Sequence, residues 1–261
     1  MGTARLDIAY EGTGFAGWAA QPGLRTVQGE LESGLERILG QRVELIVAGR
    51  TDAGVHAAGQ VASFEHGAEL PDRLAERLNA VLADDLAVRA AEPAADGFDA
   101  RRQARSRCYR YRVLASPIRD PFERGRALWW RSPVERGLLD ECAAATVGTH
   151  DFTAFTPTQS EHVLFERTVL RAEWRAERHA RHNLAGRGDE ASQPGDGMLV
   201  FEIEAPSFMR NQVRVIVGTM LEVGAGRRSP ADFRALLGGA ARERAGETAP
   251  AHGLCLVAVR Y

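Results

Sequence analysis

The sequence predicts an α/β protein of the α+β type, built from two ferredoxin-like, RRM-like halves. Three observations support this prediction: short β-branched or alternating apolar runs recur along the chain, amphipathic runs with helical spacing separate them, and the order of elements repeats. A chain of 261 residues, 44% of them hydrophobic, is long enough for both halves to have a core. We expect the halves, residues 1–104 and 105–261, to join into one long, mainly antiparallel mixed sheet with helices on one face and a central cleft on the other.

The first half is predicted to follow the order strand, helix, strand, strand, helix, strand, which is that of a split βαβ unit. Apolar residues at helical spacing follow Thr26, a suitable N-cap, and end before Gly40, a suitable terminator. The expected elements are strands over Leu6–Tyr10, Val43–Val47, Gly59–Phe64 and Leu86–Ala90, a helix over residues 27–39, and a second helix that Pro71 opens and that runs through Leu82.

The second half is predicted to repeat this order with a larger insertion. Residues 107–114 alternate between two faces, as a strand does, and Ser132 to Glu135 has the pattern of a capping box. The expected elements are a strand over residues 107–114, a helix from the capping box to about Val147, strands near Thr168–Arg178 and Gly197–Ala205, a helix over Met209–Val223, a shorter helix opened by Ser229 and Pro230, and a final strand over Gly253–Tyr261. The stretch Gly186–Gly197 is expected to be a mobile loop because it is rich in Gly, Asp, Ser and Pro.

A short polar loop between two predicted strands carries the candidate nucleophile. Its sequence is Ala-Gly-Arg-Thr-Asp-Ala-Gly-Val-His over residues 48–56, and its two glycines favour a tight turn that a ligand can approach closely. A cation such as Arg50 close to Asp52 would favour the ionised, nucleophilic carboxylate. An ordinary surface turn, in which Arg50 only pairs with Asp52, is the alternative interpretation of the loop.

The charge distribution indicates a polyanionic partner, although the net charge is only −2. Residues 101–136 hold 11 arginines against 3 acidic residues, and four aromatic side chains are interleaved with them: Tyr109, Tyr111, Trp129 and Trp130. Arginine combined with aromatic residues is typical of RNA-binding surfaces. A solvated face without a partner is the alternative interpretation. All 33 basic residues are arginine, so the chain has no lysine to act as a nucleophile or to form a Schiff base.

Several classes of protein are not expected from the sequence. The three cysteines are scattered, no apolar run is long enough to span a bilayer, and the first residues lack the pattern of a secretory signal. We therefore expect a cytoplasmic protein that does not bind a membrane. The chain has no Walker loop, zinc-ligand spacing or dinucleotide-binding fingerprint, so neither a cofactor nor a metal is expected.

Two further residues are candidates for the same site. Tyr109 lies on the alternating Arg/Tyr strand, where it either packs in the core or contacts a substrate base. Arg214 lies within the apolar run of a predicted helix, where a buried guanidinium needs a partner. That partner is either a structural ion pair or a functional carboxylate.

Three separated motifs resemble those of the tRNA pseudouridine synthase A family. The nine-residue loop around Asp52 is similar to the family's signature loop, the segment Arg107 to Tyr111 is similar to its Arg-x-Tyr-x-Tyr motif, and residues 208–218 are similar to its second signature. The resemblance extends from Tyr10 to the last residues of the chain. It implies that Asp52 is the catalytic aspartate, and that Tyr109, Arg50, Arg214 and Phe208 contact the substrate, with Arg214 paired to Asp52.

The resemblance also implies an activity and its partners. Members of this family isomerise uridine to pseudouridine at positions 38, 39 and 40 of the tRNA anticodon stem-loop, act as homodimers, and use no cofactor. We therefore expect an RNA-binding cleft, tRNA as the partner and no DNA binding. Two alternatives remain from the residues alone: a noncatalytic RNA-binding module that uses only the arginine and aromatic surface, and a synthase that acts on another RNA.

Overall fold

Strands and helices are both distributed along the chain that the computed structural model describes, which is residues 2–67, 69–159, 163–177 and 197–261. These residues divide into a first unit of residues 1–108 and 255–261 and a second unit of residues 109–254. No helix in the described ranges is long and apolar enough to cross a membrane. The predicted mobile loop Gly186–Gly197 lies outside the described residues except for its last glycine.

The elements confirm the predicted order in the first half, where strand, helix, strand, strand, helix and strand follow one another. In chain order they are β1 (Gly2–Tyr10), α1 (Val27–Leu39), β2 (Ile46–Val47), β3 (His56–His66), α2 (Leu74–Asn79), β4 (Leu86–Ala94), β5 (Ser106–Ala115), β6 (Leu128–Trp130), α3 (Arg136–Thr146), β7 (Gly148–Asp151), β8 (Glu166–Val169), β9 (Arg171–Glu177), β10 (Gly197–Ala205), α4 (Gln212–Gly224), α5 (Pro230–Leu236) and β11 (Leu254–Arg260).

In the first unit, β3 is the central strand. The strand order is β4, β1, β3, β11, and the short β2 also pairs with β3. Pairing is antiparallel except between β3 and β11, which are parallel with Cys255 opposite His56. One face of β1 is buried in the core, and its buried side chains are Ala4, Leu6, Ile8 and Tyr10. Because a shift by one residue would expose this face, its burial fixes the register between β1 and β3.

In the second unit, β10 lies between β5 and β9. β9 and β10 are antiparallel, β6 runs parallel to β5, and β7 and β8 form a separate antiparallel pair. The helix α4 is apolar on most of its surface, with Val215, Ile216 and Val217 fully buried, so it is the core helix of this unit. Mixed α/β units with mainly antiparallel pairing confirm the predicted fold class.

Three helix ends predicted from capping residues are confirmed. The Thr26 side chain accepts a hydrogen bond from the Gly29 amide at 3.3 Å, and Gly40 ends α1 in the left-handed conformation with φ of 69°. Ser229 caps α5, and Asp232 completes the capping box with Pro230 at the first helical position.

Three predicted helix starts are wrong, and tertiary contacts explain one of them. The helix α4 begins at Gln212, after Asn211 in a left-handed conformation, rather than at Met209. The helix α3 begins at Arg136 rather than at the Ser132 capping box, because the Glu135 amide donates to the Gly224 carbonyl at 2.8 Å and Val134 is buried. The helix α2 begins at Leu74, after Arg73 in a left-handed conformation, rather than at Pro71.

The helix α2 also ends earlier than predicted, at Asn79. The Asn79 amide exchanges two hydrogen bonds of 2.8 Å with the backbone of Val88 in β4, which fixes the end of the helix against that strand. Val81 and Leu82 lie beyond this end and are half-buried rather than buried. A short helix tied to a sheet edge therefore replaces the longer helix that the apolar spacing predicts.

Candidate functional site

Asp52 lies at the first position of a tight turn between β2 and β3. The Val55 amide donates to the Asp52 carbonyl at 3.1 Å, and Gly54, the third residue, has φ of 77°. These features define a type II turn, whose third residue needs a positive φ and therefore favours glycine. Asp52 is half-buried, so part of the residue packs against the protein and part is accessible to a ligand.

Buried hydrogen bonds from the strands hold the loop on one side. The Tyr10 hydroxyl lies 2.7 Å from Thr51 Oγ1, and the Gln60 amide donates to the Gly49 carbonyl at 2.8 Å and to the Tyr10 hydroxyl at 3.3 Å. Burial raises the pKa of Tyr10 to about 12, although its bonds to Thr51 and Gln60 oppose this rise. Tyr10 therefore remains a neutral hydrogen-bonding group next to the loop at physiological pH.

A buried arginine holds the start of the loop. The Arg107 guanidinium donates to the Ala48 carbonyl, with Nε at 3.0 Å and Nη2 at 2.5 Å, and to the Arg101 carbonyl at 2.8 Å. Its residue is only 9% exposed. This role of Arg107 differs from the sequence-based prediction, in which Arg107 belongs to the basic surface of residues 101–136. The alternation of β5 was a signal for it, because Arg107 shares a face with Tyr109 and Tyr111.

The segment after β1 holds the loop on the other side through its backbone. The Trp18 amide donates to the Thr51 carbonyl at 3.0 Å, and the Gly54 amide donates to the Phe15 carbonyl at 3.3 Å. Gly17 has φ of 103°, and a Cβ added to it would lie 3.0 Å from the Thr51 carbonyl oxygen. Glycine is therefore required where the two backbone segments meet.

His56 joins the same segment to the end of the loop. Its Nδ1 accepts a hydrogen bond from the Gly12 amide at 2.9 Å and lies 3.2 Å from a Glu11 carboxylate oxygen. A Cβ on Gly12 would overlap the Val55 carbonyl, so the Gly12 backbone lies directly against the residue before His56. His56 is not among the site residues predicted from the sequence, although it belongs to the nine-residue loop.

Arg50 presents its charge to solvent. The residue is exposed, and its side chain makes no hydrogen bond or ion pair with any other residue that the structure describes. An exposed guanidinium two residues from Asp52 in sequence is suited to a phosphate or a base of a ligand.

In the second unit, Tyr109 and Phe208 form an aromatic pair. Their ring centroids are 5.2 Å apart and the rings are perpendicular, which is a favourable edge-to-face geometry. Tyr109 is 8% exposed and comes from β5, whereas Phe208 is half-buried and comes from the loop before α4. The structure thus brings together two predicted substrate-binding residues that are about 100 positions apart in sequence.

Arg214 lies on the first turn of α4 and is held from two directions. Its Nε donates to the Ala249 carbonyl at 2.7 Å, and its Nη1 donates to Asn211 Oδ1 at 3.0 Å. The Ala249 amide in turn donates to the Arg214 carbonyl at 3.1 Å. The residue is half-buried. Two neutral acceptors, the Ala249 carbonyl and Asn211 Oδ1, orient its guanidinium. The predicted pair between Arg214 and Asp52 joins the two units and stays a prediction.

The arginines of residues 101–136 divide into two groups. Several are bound within the protein: besides Arg107, Arg110 donates to Glu202 at 2.8 Å, Arg112 donates to Glu123 at 2.6 Å, and Arg136 donates to Asp140 at 2.8 Å. The others are exposed, so only part of this stretch is available to a polyanion. No group of three or more His, Cys, Asp or Glu side chains within the described ranges is arranged to hold a metal ion.

Comparison with known proteins gives full-length matches. A family model described as tRNA pseudouridine synthase matches residues 8–101 and 142–261. The tRNA pseudouridine synthase A of Shouchella clausii is 38% identical over 263 residues, which cover 100% of this chain and 94% of the relative. The enzyme of the same name from Frankia casuarinae is 42% identical, with 98% and 88% covered, and that from Geobacillus kaustophilus is 42% identical, with 97% and 92% covered. The chain therefore belongs to the tRNA pseudouridine synthase A family, isomerases that convert uridine in tRNA to pseudouridine.

Proposed function

We propose that this enzyme isomerises the uridines at positions 38, 39 and 40 of the tRNA anticodon stem-loop, with Asp52 as its nucleophile. The reaction breaks the bond between ribose C1′ and uracil N1, turns the base and forms a bond between C1′ and C5. C5 then loses its proton and N1 gains one, so the product is an isomer of the substrate. The reaction needs a fixed carboxylate and a pocket for a base that has left the helical stack. It needs no redox cofactor, metal or nucleoside triphosphate.

The observation that carries this proposal is the support of the Asp52 turn. Strand side chains, a buried arginine and the segment after β1 all bind the loop backbone, while the Asp52 residue itself is half-buried. A nucleophile held by rigid surroundings reaches its target with little reorganisation, which is the main source of catalytic positioning. Asp52 attacks either the ribose or the base of the extruded nucleotide.

The other predicted residues receive separate roles in the proposal. Tyr109 and Phe208 form the aromatic wall on which the extruded uracil stacks. Arg214 pairs with Asp52 and favours its ionised form, because the guanidinium is held by the Ala249 carbonyl and Asn211 and so keeps a fixed direction. Arg50 binds the RNA next to the target nucleotide, which its exposure permits.

We further propose that the enzyme acts in the cytoplasm, where its tRNA substrate is found, and as a homodimer. The family resemblance supports both proposals. Sedimentation equilibrium of the purified protein tests the second: a mass of twice 28.4 kDa supports it, and a monomer at micromolar concentration contradicts it.

The substitution Asp52→Asn tests the nucleophile. The substrate is an unmodified tRNA with tritium at C5 of its uridines, which is released as the C1′–C5 bond forms. We expect no release above background from the variant, with tRNA binding retained. Asp72→Asn is the matched control, since Asp72 is an exposed residue of the same unit, and it should keep the wild-type rate.

Mapping of the products tests the positions and the alternatives. Pseudouridine at positions 38 to 40 of the treated tRNA supports the proposal. A product at other positions would show a synthase of different site specificity. Binding of tRNA with no conversion by the wild-type protein would favour the noncatalytic module, and tritium release by Asp52→Asn would refute the role of the carboxylate.

A further inference from the structure

Residues 116–131 of the second unit comprise the ordered connection that follows β5, the short strand β6, and Arg131 directly after that strand. A short 3-10 helix over Pro121–Glu123 lies within the connection, and the Arg112 guanidinium makes two hydrogen bonds, of 2.6 and 3.0 Å, to the Glu123 carboxylate. The Trp129 indole donates to the Ser116 carbonyl at 3.0 Å, and Ala127 is buried in the core. We call residues 116–131 the β5–β6 turn.

Four arginines project from the β5–β6 turn. Arg119, Arg124, Arg126 and Arg131 are all exposed, and their side chains form no hydrogen bond or ion pair with other residues in the described part of the chain. The acidic residues of the turn are Asp120 and Glu123, and Glu123 is already neutralised by Arg112. The turn therefore presents excess positive charge to solvent, in contrast to the paired arginines elsewhere in residues 101–136.

Exposed apolar side chains are interspersed with these arginines. Ile118 and Phe122 are each 76% exposed, and Trp129 is 39% exposed with the Arg131 guanidinium 5.7 Å from its ring centroid. Exposed aromatic rings among unpaired arginines are the combination by which proteins bind the backbone and the unstacked bases of RNA. A surface that binds an acidic protein would not need the exposed aromatic rings. An interface between two copies of the chain would not need the excess positive charge of the four arginines.

The β5–β6 turn is distant from the candidate site of the second unit. The strand β5 connects Tyr109 to the β5–β6 turn, because Tyr109 lies six residues before Ala115, the last residue of the strand. At a rise of about 3.3 Å per residue, the turn begins roughly 20 Å from Tyr109. A ligand that occupies both places must therefore be much longer than one nucleotide.

We propose that the β5–β6 turn is a second RNA-binding surface, which binds the tRNA backbone and an unstacked base remote from the target uridine. The inference rests on the proposed function, because it takes tRNA as the ligand. The inference also goes beyond the proposed function, because the β5–β6 turn lies between the two segments that match the family model. Its purpose is affinity and register on the tRNA, while the reacting nucleotide is handled elsewhere.

Salt-dependent binding tests the phosphate contacts. The variant has all four arginines replaced, Arg119→Gln, Arg124→Gln, Arg126→Gln and Arg131→Gln, and the probe is an unmodified tRNA transcript. We expect at least about a tenfold loss of affinity and a slope of log affinity against log salt that is smaller by about 3, since each phosphate contact contributes roughly 0.7 to 0.9. Circular dichroism establishes that the variant is folded.

A charge-matched control separates contact from long-range attraction. The control variant is Arg42→Gln, Arg73→Gln, Arg77→Gln and Arg89→Gln, four exposed arginines of the first unit. It should change the slope by less than 1. Equal loss in both variants would overturn the proposal, because net charge alone would then explain the binding. Unchanged affinity in the first variant, or a changed oligomeric state instead of changed affinity, would also overturn it.

Two further measurements locate the contact. Phe122→Ala should weaken tRNA binding about fivefold or more with the same salt slope, because stacking releases no counterions. In ethylation interference, phosphates that matter to the wild type but not to the four-arginine variant should lie away from positions 38 to 40. Phosphates that flank the target would overturn the remote placement. Because these are binding measurements, they remain interpretable even if the wild-type protein forms pseudouridine at other positions.

Discussion

At the scale of single residues, the loop around Asp52 is supported mainly by uncharged groups. Tyr10, Gln60 and the backbone of the segment after β1 supply most of the hydrogen bonds, and Arg107 donates to carbonyls rather than to a carboxylate. The uncharged partners therefore fix the loop through hydrogen bonds alone, and the charged guanidinium of Arg107 is directed at carbonyl oxygens.

His56 should position the Asp52 turn through the acceptor at its Nδ1. Asparagine places its Oδ1 near the position of that atom, whereas glutamine places its amide farther out and leaves the Gly12 amide without an acceptor. We expect His56→Asn to stay within a few fold of the wild-type rate of tritium release, and His56→Gln to lose about tenfold or more.

The two His56 variants differ in one hydrogen bond, so their comparison controls for general loss of the imidazole ring. Equal rates for both would contradict the positioning role. Retained tRNA affinity in both variants is expected, because the bond to Gly12 lies within the protein.

Single candidate residues could be identified from the sequence where residue type and context both indicate chemistry. Asp52, Tyr109 and Arg214 stand out in sequence as charged or polar residues in apolar or glycine-flanked surroundings. Tyr10 and Gln60 do not, because each looks like an ordinary strand residue until β1 and β3 are paired. Their role follows from the register of the sheet, which no local pattern encodes.

At the scale of elements, helix ends that depend on local capping were predictable and those that depend on tertiary contacts were not. Thr26 and Ser229 cap their helices through their own side chains. Ser132 does not cap a helix, because the Glu135 amide that a capping box would use donates its hydrogen bond to the Gly224 carbonyl instead. A capping motif therefore predicts a helix start only where no neighbouring element competes for the same backbone groups.

The helix α4 and the segment that orients Arg214 should be sensitive to volume at Gly218. A Cβ there would overlap the Glu247 carbonyl, two residues before Ala249, whose carbonyl holds Arg214. We expect Gly218→Ala to lower the free energy of unfolding by about 1–3 kcal/mol and to reduce the rate of tritium release. Urea unfolding and the tritium assay measure the two effects.

Gly137→Ala in α3 is the matched control for Gly218→Ala. A Cβ on Gly137 meets no atom within 4 Å, and alanine is the better helix former. We expect the control to raise stability by about 0.5–1 kcal/mol at an unchanged rate. Destabilisation by both substitutions alike would indicate that helix backbone effects, rather than the contact with Glu247, dominate.

At the scale of the whole molecule, buried ionisable groups should set the alkaline limit of stability. Burial raises the pKa of both Tyr10 and Cys142 to about 12, above the values of 10.0 and 9.0 for the exposed groups. The unfolded chain therefore loses these protons first as the pH rises. The neutral forms of Tyr10 and Cys142 contribute fully to the free energy of unfolding below about pH 9. This contribution is lost progressively toward pH 12.

Tyr10→Phe tests this alkaline dependence. At pH 9 the variant should be less stable by about 1 kcal/mol, because it loses the hydrogen bonds to Thr51 and Gln60. The difference from the wild type should shrink between pH 10 and pH 12, since phenylalanine has no proton to lose. Urea unfolding at four pH values measures the difference, and a constant gap would contradict the prediction.

The order of elements was predictable over the first unit, but the place of the last strand was not. The sequence predicts a strand at the end of the chain, and only the structure shows that β11 runs parallel to β3 beside the start of that strand. Parallel neighbours far apart in sequence leave no local signal, because nothing in either segment specifies the partner.

The position of β11 has a consequence for how the molecule is made. Gly59 lies against the backbone of Val257, and the Tyr261 hydroxyl donates to the Ala100 carbonyl at 2.8 Å, so the first unit combines residues 1–108 with residues 255–261, and the residues in between form the second unit. During synthesis on the ribosome, the strand that begins directly after the Asp52 loop has an open edge until residues 255–261 emerge. The first unit is therefore completed only after the whole second unit and then residues 255–261 have been synthesised.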